Sequence, residues 1–352
     1  MTRNLSLRLL LGLLLCAGCS RTVPPADLLV GEPEYPLDTT GRFTYVTTHD
    51  IEAINVFMIF PYESYIVMFG HFYGGFVQVV DKESGAIVCS GIPRGRGPGE
   101  LVGAEFADLN PQTGTMTIVD GDTHQILSFN IDDFIAGRFK AARKPAAPFT
   151  YQVFELDREH TLHDHLVTYV STMYGVPDRL SVLRKDGTKT AVYNEFPIMD
   201  TVRNRNFIIY QQRRASLSPD RTKLAMGTVM QHTYFETFDI GKTHIAPRSQ
   251  QLHSGPVDYS QRWPFEKCTG GFLSVYAGNE LVVAATDDFT EKADRKIYNN
   301  LCVFDWDGHP IKRIRMEGCK SIPALCLDSD GRTVYAVMKA DNDFYYFART
   351  EI

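Results

Sequence analysis

"LNPQTGTMTIVD" (residues 109–120), "LSPDRTKLAMGT" (217–228) and "LDSDGRTVYAVM" (327–338) are three versions of one pattern. Each closes a strand, turns through Asp, Asn, Pro or Gly, and opens a second strand of β-branched and apolar residues. That is hairpin chemistry with the turn residues in place. The leading leucines lie 108 and 110 residues apart. Half that interval, 54–55 residues, predicts further hairpins near positions 55, 163 and 272. The chain supplies them: "INVFMIFPYESYIVMF" from Ile54, "YQVFELDREHTLHDHLVTYV" from Tyr151 and "GFLSVYAGNELVVAAT" from Gly271.

A second series follows each of these hairpins: "FVQVVDKESGAIV", "ILSFNIDDF", "LSVLRKDGTKTAVY", "YFETFDIGK", "LCVFDWDGHPIKRI" and the terminal "DFYYFARTEI". Four strands per unit, repeated six times, predict an all-β, six-bladed β-propeller with four-stranded antiparallel blades. The blades begin near 54, 104, 151, 214, 271 and 322. The last unit is one strand short, and "RFTYVTT" (42–48) is a spare strand ahead of the first hairpin. Pairing the two closes the ring and hides both edges.

Composition agrees. Of 352 residues, 22 are Phe and 17 Tyr, a bias toward strands. Ahead of the repeats, Arg3 and Arg8 precede the apolar run "LLLGLLLCAGC" (9–19). A basic start and a run too short for a bilayer of about 30 Å read as a signal peptide. Ala17 and Gly18 directly before Cys19 resemble a bacterial lipobox, with Cys16 where Leu is usual. The expected organisation is a signal peptide over 1–18, lipidation at Cys19, a Pro-rich tether over 19–40 and one propeller domain over 41–352. Without residues 1–18 the chain carries 34 basic and 42 acidic residues, a net charge of −8. An acidic chain without a basic block excludes nucleic acid as a partner class. Five cysteines remain beyond the leader: Cys89, Cys268, Cys302, Cys319 and Cys326. Their odd number and irregular spacing match no zinc or redox motif, so free thiols are expected. Cys319 and Cys326 fall on the outer strand of blade 5 and the inner strand of blade 6, too far apart to bridge.

The period, the stretch "VDGDTHQILSFN" and above all "GRGPGE" (95–100) resemble the six-bladed TolB-like/NHL-like propeller lipoproteins of Bacteroidota. The resemblance covers nearly all of residues 41–352 and implies the fold and a cell-envelope location. It implies an outer-membrane anchor and no defined activity, with a body facing the periplasm favoured over one exposed at the cell surface. The acidic run that marks some surface-exported relatives after the cysteine is absent here, where Ser20, Arg21 and Thr22 stand.

"IPRGRGPGEL" (92–101) poses the one question of phosphate chemistry. A phosphate loop needs Lys-Ser/Thr and a following helix, and a dinucleotide fingerprint needs the same helix. Here "LVGAEFADL" leads into a strand, and Pro98 removes an amide. The loop reads as the link from blade 1 to blade 2, with Arg94 and Arg96 able to hold an anion beside it.

Propeller layout sorts the remaining candidates. Links between blades and the loops joining second to third strands share one face; the inner hairpin turns lie on the other. His160, His163 and His165 fall in an inner turn and read as a solvated turn, not a metal site. Two insertions enlarge the link face: "EFPIMDTVRNRNFIIYQQRR" (195–214), with Arg203, Arg205, Arg213 and Arg214, and "KTHIAPRSQQLHSGPVDYSQRWPFEKCTGG" (242–271), with Trp263 and Phe265. Arginine grips carboxylates in bidentate fashion, and Trp offers a stacking face. Arg203, Arg205, Trp263 and Phe265, with Arg94 and Arg96, are therefore the expected ligand-binding residues. No metal or cofactor is expected. No G-x-S-x-G, H-E-x-x-H or Cys-His signature occurs. The favoured reading is a monomeric envelope lipoprotein that binds a protein, peptide or glycan, touching the membrane only through its lipid. The alternative is a propeller hydrolase or lyase acting on an anionic saccharide or lactone.

Overall fold

A computed structural model of the chain describes residues 28–47, 51, 53–146, 150–156, 165–169, 179–184, 186–195, 213–228, 230–231, 234–253, 269–286 and 299–352. Three short strands lead: β1 (Leu28–Val30), β2 (Leu37–Gly41) and β3 (Thr44–Tyr45). Blade 1 is β4 (Ala53–Tyr62), β5 (Tyr65–Phe72), β6 (Gly75–Asp81) and β7 (Ile87–Gly91). Blade 2 is β8 (Ala104–Asn110), β9 (Thr115–Asp120), β10 (Gln125–Asn130) and β11 (Ala142–Pro145), with a short helix α1 (Ile131–Ile135) between the last two. Blade 3 is β12 (Thr150–Glu155), β13 (His165–Tyr169), β14 (Leu180–Leu183) and β15 (Lys189–Tyr193).

Blade 4 holds β16 (Arg213–Leu217), β17 (Lys223–Thr228), then, after the small ribbon strand β18 (Met230–Gln231), β19 (Tyr234–Gly241) and β20 (His244–Leu252). β18 pairs with β21 (Thr269–Gly270) on the link face. Blade 5 is β22 (Phe272–Ala277), β23 (Val282–Thr286), β24 (Asn300–Phe304) and β25 (Pro310–Met316). Blade 6 is β26 (Cys319–Leu327), β27 (Thr333–Ala340) and β28 (Tyr345–Glu351), completed by β3. Among the described residues no helix is long and apolar enough to cross a membrane.

Second strands are covered on both faces by neighbouring blades, and so read as continuous apolar runs. All five residues of β23 are buried, as are the last five of β9 and β17. The core is a ring of inter-blade layers. Val283, Ala285 and Leu301 of blade 5 meet Leu325, Leu327 and Val334 of blade 6. Ile59, Ile66 and Met68 of blade 1 meet Cys326, Tyr335 and Val337 of blade 6, so the first blade packs directly on the last.

The ring closes as the spare N-terminal strand predicts. Tyr45 pairs with Ala348 and Thr44 with Arg349. The amides of Val46 and Thr47 both donate to the Phe347 carbonyl, at 2.9 and 3.1 Å, and the Phe347 amide donates back to Thr47 Oγ1 at 3.1 Å.

Three expectations are corrected. The sequence suggests a tether over residues 19–40, but residues from Leu28 onward already belong to the folded body. β1 adds in parallel to the outer edge of β20, and β2 adds in parallel to β25. Prolines at 33 and 36 mask two strands that are only three and five residues long. Both outer blade edges are thereby covered. Tyr35, between the two strands, lays its ring on Phe304 and under the Arg313 guanidinium, while Asp38 pairs with Arg313. The second insertion is expected over 242–271, but His244–Leu252 form the fourth strand of blade 4. Pro247 and the run Arg248–Gln251 look like loop. Pro247 sits at a bulge, where a missing amide does no harm. Buried Gln250 and Gln251 donate to Tyr193 Oη and to the Gly308 carbonyl. Cys319 is expected on the outer strand of blade 5; it opens β26, on the same strand as Cys326, because the link from β25 is only two residues. The four described cysteines, Cys89, Cys302, Cys319 and Cys326, are free.

A chain that starts at residue 28 should unfold at the same temperature as one that starts at residue 19. A chain that starts at residue 42 leaves the edges of β20 and β25 bare, and should melt several degrees lower by calorimetry. His253, just after β20, is buried among Phe235, Phe272 and Phe304. Burial lowers its pKa from 6.5 to about 3, so the fold keeps it neutral. The unfolded chain takes up the proton first. Its contribution to stability is therefore complete above pH 6.5 and is lost as the pH falls toward 3, at about 1.4 kcal/mol per unit. Urea titrations across that window should show this slope, and His253→Phe should flatten it.

Candidate functional site

Six inner strands meet at the axis, and their inward side chains nearly fill it. Phe57, Phe60, Phe106 and Phe154 line the middle, with Ser216, Ser274, Tyr276 and Ala324 opposite, around a space of only about 30 Å3. That is room for about one water molecule or one small ion. Two arginines from blade 4 mark the two ends of this plug.

Arg221 marks the hairpin face. It lies in the inner turn of blade 4, and its guanidinium crosses to blade 2, where it forms a two-pronged ion pair with Asp108. Both residues are 4% exposed. Burial, the largest influence, pushes the Asp108 pKa up against the pull of Arg221. Next to the pair, buried Glu155 of blade 3 accepts from Asn110 Nδ2 at 3.2 Å and from Thr113 Oγ1 at 3.0 Å. Three blades are thus tied at the axis by charge and hydrogen bonds.

The sequence signal for this tie is the alignment of the turns. Four residues after the leucine, blade 6 has Gly331 at φ 68°, whereas blade 4 has Arg221 at φ 61°. Both amides donate to the carbonyl three residues back. A non-glycine residue there costs about 1–3 kcal/mol of backbone strain. The arginine stands where glycine would fit better because from there its side chain reaches the axis.

Outside the plug, the hairpin face opens into a funnel of about 590 Å3. The inner turns of blades 1, 2, 4, 5 and 6 line it, with Pro61, Pro111 and Pro219 forming its wall. Lys82 anchors one side, donating to the Glu63 carbonyl at 2.6 Å and to Asp328 at 2.7 Å. Asp330 accepts from the amides of Arg332 and Thr333, so this acid serves its own turn. Sequence reasoning points only to the opposite face and misses this cavity, because turns that are short in sequence become a wall only once they are arranged in a ring.

Arg214 marks the link face. It is the second residue of β16, level with Tyr151 and Leu273, the second residues of β12 and β22. The residue is partly buried; its Nε donates to the Leu273 carbonyl at 3.1 Å, and its side chain lines the axial space. Burial lowers its pKa and Tyr151 partly offsets that. Among the described residues no carboxylate pairs with it.

The glycine-rich link is a closed structure. The Glu100 carboxylate folds back and accepts from the Gly97 amide at 2.7 Å. A Cβ on Gly95 would meet the Glu100 carboxylate and push it from this position. Gly99 takes φ 80°. Arg143 clamps the loop from blade 2 by donating to the carbonyls of Gly97 and Glu100. The anion of this loop is its own Glu100. Arg94 and Arg96 lie in this link, on the same face as Tyr73, which is 82% exposed in the turn between β5 and β6. Burial first, and Arg94 second, hold the His71 pKa below its usual value.

The other predicted site residues divide simply. Arg203, Arg205, Trp263, Phe265 and Cys19 lie outside the described residues, as do His160 and His163. His165, expected in a solvated turn, instead opens β13 and is buried, its Nε2 3.0 Å from Lys144 Nζ of blade 2.

No family model and no curated protein matches the chain. Solved structures do. An exported protein from Bacteroides fragilis is similar over 93% of this chain and 100% of its own, with 11% identity and a TM-score of 0.59. The U3-55K structure is similar over 89% of this chain and 99% of its own, with 12% identity and a TM-score of 0.53. At such identity the likeness is one of fold, and the fold is a six-bladed β-propeller.

Methionine at position 221 keeps the backbone strain and removes only the charge. Arg221→Met should therefore cost about 3–5 kcal/mol by leaving Asp108 buried and unpaired. Arg221→Met with Asp108→Leu should recover most of that loss in denaturant titrations.

Proposed function

We propose that this protein is an exported, lipid-anchored binding propeller of the bacterial cell envelope, engaging an anionic glycan, peptide or protein across its link face. One observation carries the reading: the axis is plugged by aromatic rings and a buried ion pair, while arginines without a described carboxylate partner stand on the link face. A propeller enzyme would need acids and histidines from several blades around an axial cavity. The described axial side chains here form a core instead. What binds must then do so on the faces, and Arg94, Arg96 and Arg214 give the link face a cationic character suited to carboxylate or phosphate. The stretches bearing Arg203, Arg205, Trp263 and Phe265 follow blades 3 and 4 in sequence, and would extend the surface over the sector of blades 3 to 5.

The location rests on the leader sequence and on the exported neighbour from Bacteroides fragilis. The kinship to TolB-like/NHL-like lipoproteins of Bacteroidota rests on the repeat and on "GRGPGE". An outer-membrane anchor with a periplasm-facing body fits a link of only eight residues between Cys19 and β1. Such a link spans about 30 Å at most and holds the propeller close to the bilayer.

An anionic-ligand array or an envelope pull-down tests the binding. Loss of a bidentate arginine contact, in Arg203→Ala with Arg205→Ala, should weaken capture about tenfold to a hundredfold, and Trp263→Ala should weaken it too. Unchanged capture by folded variants would show these residues to be scaffolding. Mass spectrometry of the membrane fraction should find diacylglycerol on Cys19, and Cys19→Ala should release the protein into the soluble fraction.

A further inference from the structure

We infer that Arg214 is the carboxylate receptor of an axial subsite at the link-face end of the channel, taking the anionic end of the ligand. This deepens the binding function proposed above by naming the group that the axis recognises.

A guanidinium remains charged under all physiological conditions, so partly burying Arg214 without a counter-charge carries a standing cost. Elsewhere in the described interior the molecule resolves that cost. Arg221 has Asp108, and Arg179, which is fully buried, has Glu236. Among the described residues Arg214 has the Leu273 carbonyl, which engages Nε and leaves the two terminal nitrogens for another acceptor. The described residues around it supply no compensating charge. Phe57, Phe106 and Phe154 line the same space, and its hydroxyls are those of Ser216, Ser274 and Tyr276. The one acid of that lining, Asp108, is taken by Arg221. The axial space that Arg214 helps to line, about 30 Å3, takes only the tip of an anionic group and not a sugar ring or a whole side chain. The rest of the ligand therefore stays above the plug, on the side where the links lie.

Chloride would satisfy the charge alone. A carboxylate would also use the planar fork of the two remaining nitrogens, which is the geometry arginine offers best. The two cases are separable by experiment.

The full mature chain and its Arg214→Met variant are titrated with sodium formate, sodium chloride, glucuronate and N-acetylalanine at constant ionic strength. Thermal unfolding and the 19F line of trifluoroacetate are followed in parallel. The inference expects formate to raise the melting temperature of the wild type saturably, with chloride weaker. Trifluoroacetate should broaden on binding and be displaced by formate. Arg214→Met should abolish all of these effects, yet melt no lower than wild type in anion-poor buffer, because it removes an uncompensated charge. The glucuronate and N-acetylalanine arms distinguish the carboxylate of a uronic acid from that of a peptide end. If formate has no saturable effect on the wild type, or the same effect on Arg214→Met, the subsite is wrong. Should Arg214→Met fold poorly, Arg214→Gln enters the same 19F titration, and retained trifluoroacetate broadening there overturns the subsite equally. Array binding that survives in Arg214→Met would overturn the subsite and leave the binding function standing. Formate binding without any captured envelope ligand would do the reverse.

Discussion

A propeller is a strip of twisted sheets that must be joined to itself, and everything else in this molecule depends on that joint. Here it consists of a few hydrogen bonds around Phe347, with Val46 and Thr47 on the other side. The apolar layer between blades 1 and 6 forms only if the chain's two ends meet. Sequence separation across the joint is 300 residues, so its closure carries a loop-entropy cost that local contacts do not. The segment just ahead of β3 eases this. By adding β2 to blade 5 and β1 to blade 4, the chain lays its N-terminus along two neighbouring blades before reaching the sixth. The closing strand is thus guided to its partner by the belt that precedes it.

Closure fixes the radius of the ring, and the radius decides what the axis can hold. Six inner strands bring Phe57, Phe106 and Phe154 close enough to fill the middle. At the hairpin end, the gap is bridged by a single long side chain, Arg221, reaching from blade 4 to blade 2. The strained backbone at Arg221 and the raised pKa of Asp108 are two signs of one compromise. An ion pair is placed where burial opposes it, because an apolar side chain from the same turn would not fix the register of blades 2, 3 and 4. Buried pairs are better at specifying an arrangement than at stabilising it.

The blades are legible in the sequence because their signal is repeated. A period of 54–55 residues reveals the repeat, and the blade starts then read from each hairpin place every inner strand within about three residues. Features that occur once are harder to read. β1 and β2 are short, lie among prolines and receive their pairing from strands more than 200 residues away. β20 is polar because its Gln250 and Gln251 bond to neighbouring blades, a tertiary reason invisible to local pattern. Arg94, Arg96 and Arg214 are legible as arginines on one face. Which of them is left without a counter-charge is not, since pairing is a property of the assembled ring. The funnel escapes for the same reason: its wall comes from five turns that no stretch of sequence contains together.

The charges at the axis make its two ends different. Both arginines sit on blade 4, seven residues apart, on either side of one inner strand and its turn. Arg221 reaches Asp108 because β8 carries an acid at the hairpin end of the channel. At the link end, the inner strands present Tyr151, Leu273 and Phe57 instead. An acid at any of these positions would cancel Arg214 and cost the fold nothing in backbone geometry. In its place a positive charge stands in a largely apolar wall at the link end of the channel. A fold that pairs Arg221 and Arg179 with acids, and gives Arg214 no acid among the described residues, is arranged to receive that counter-charge from outside.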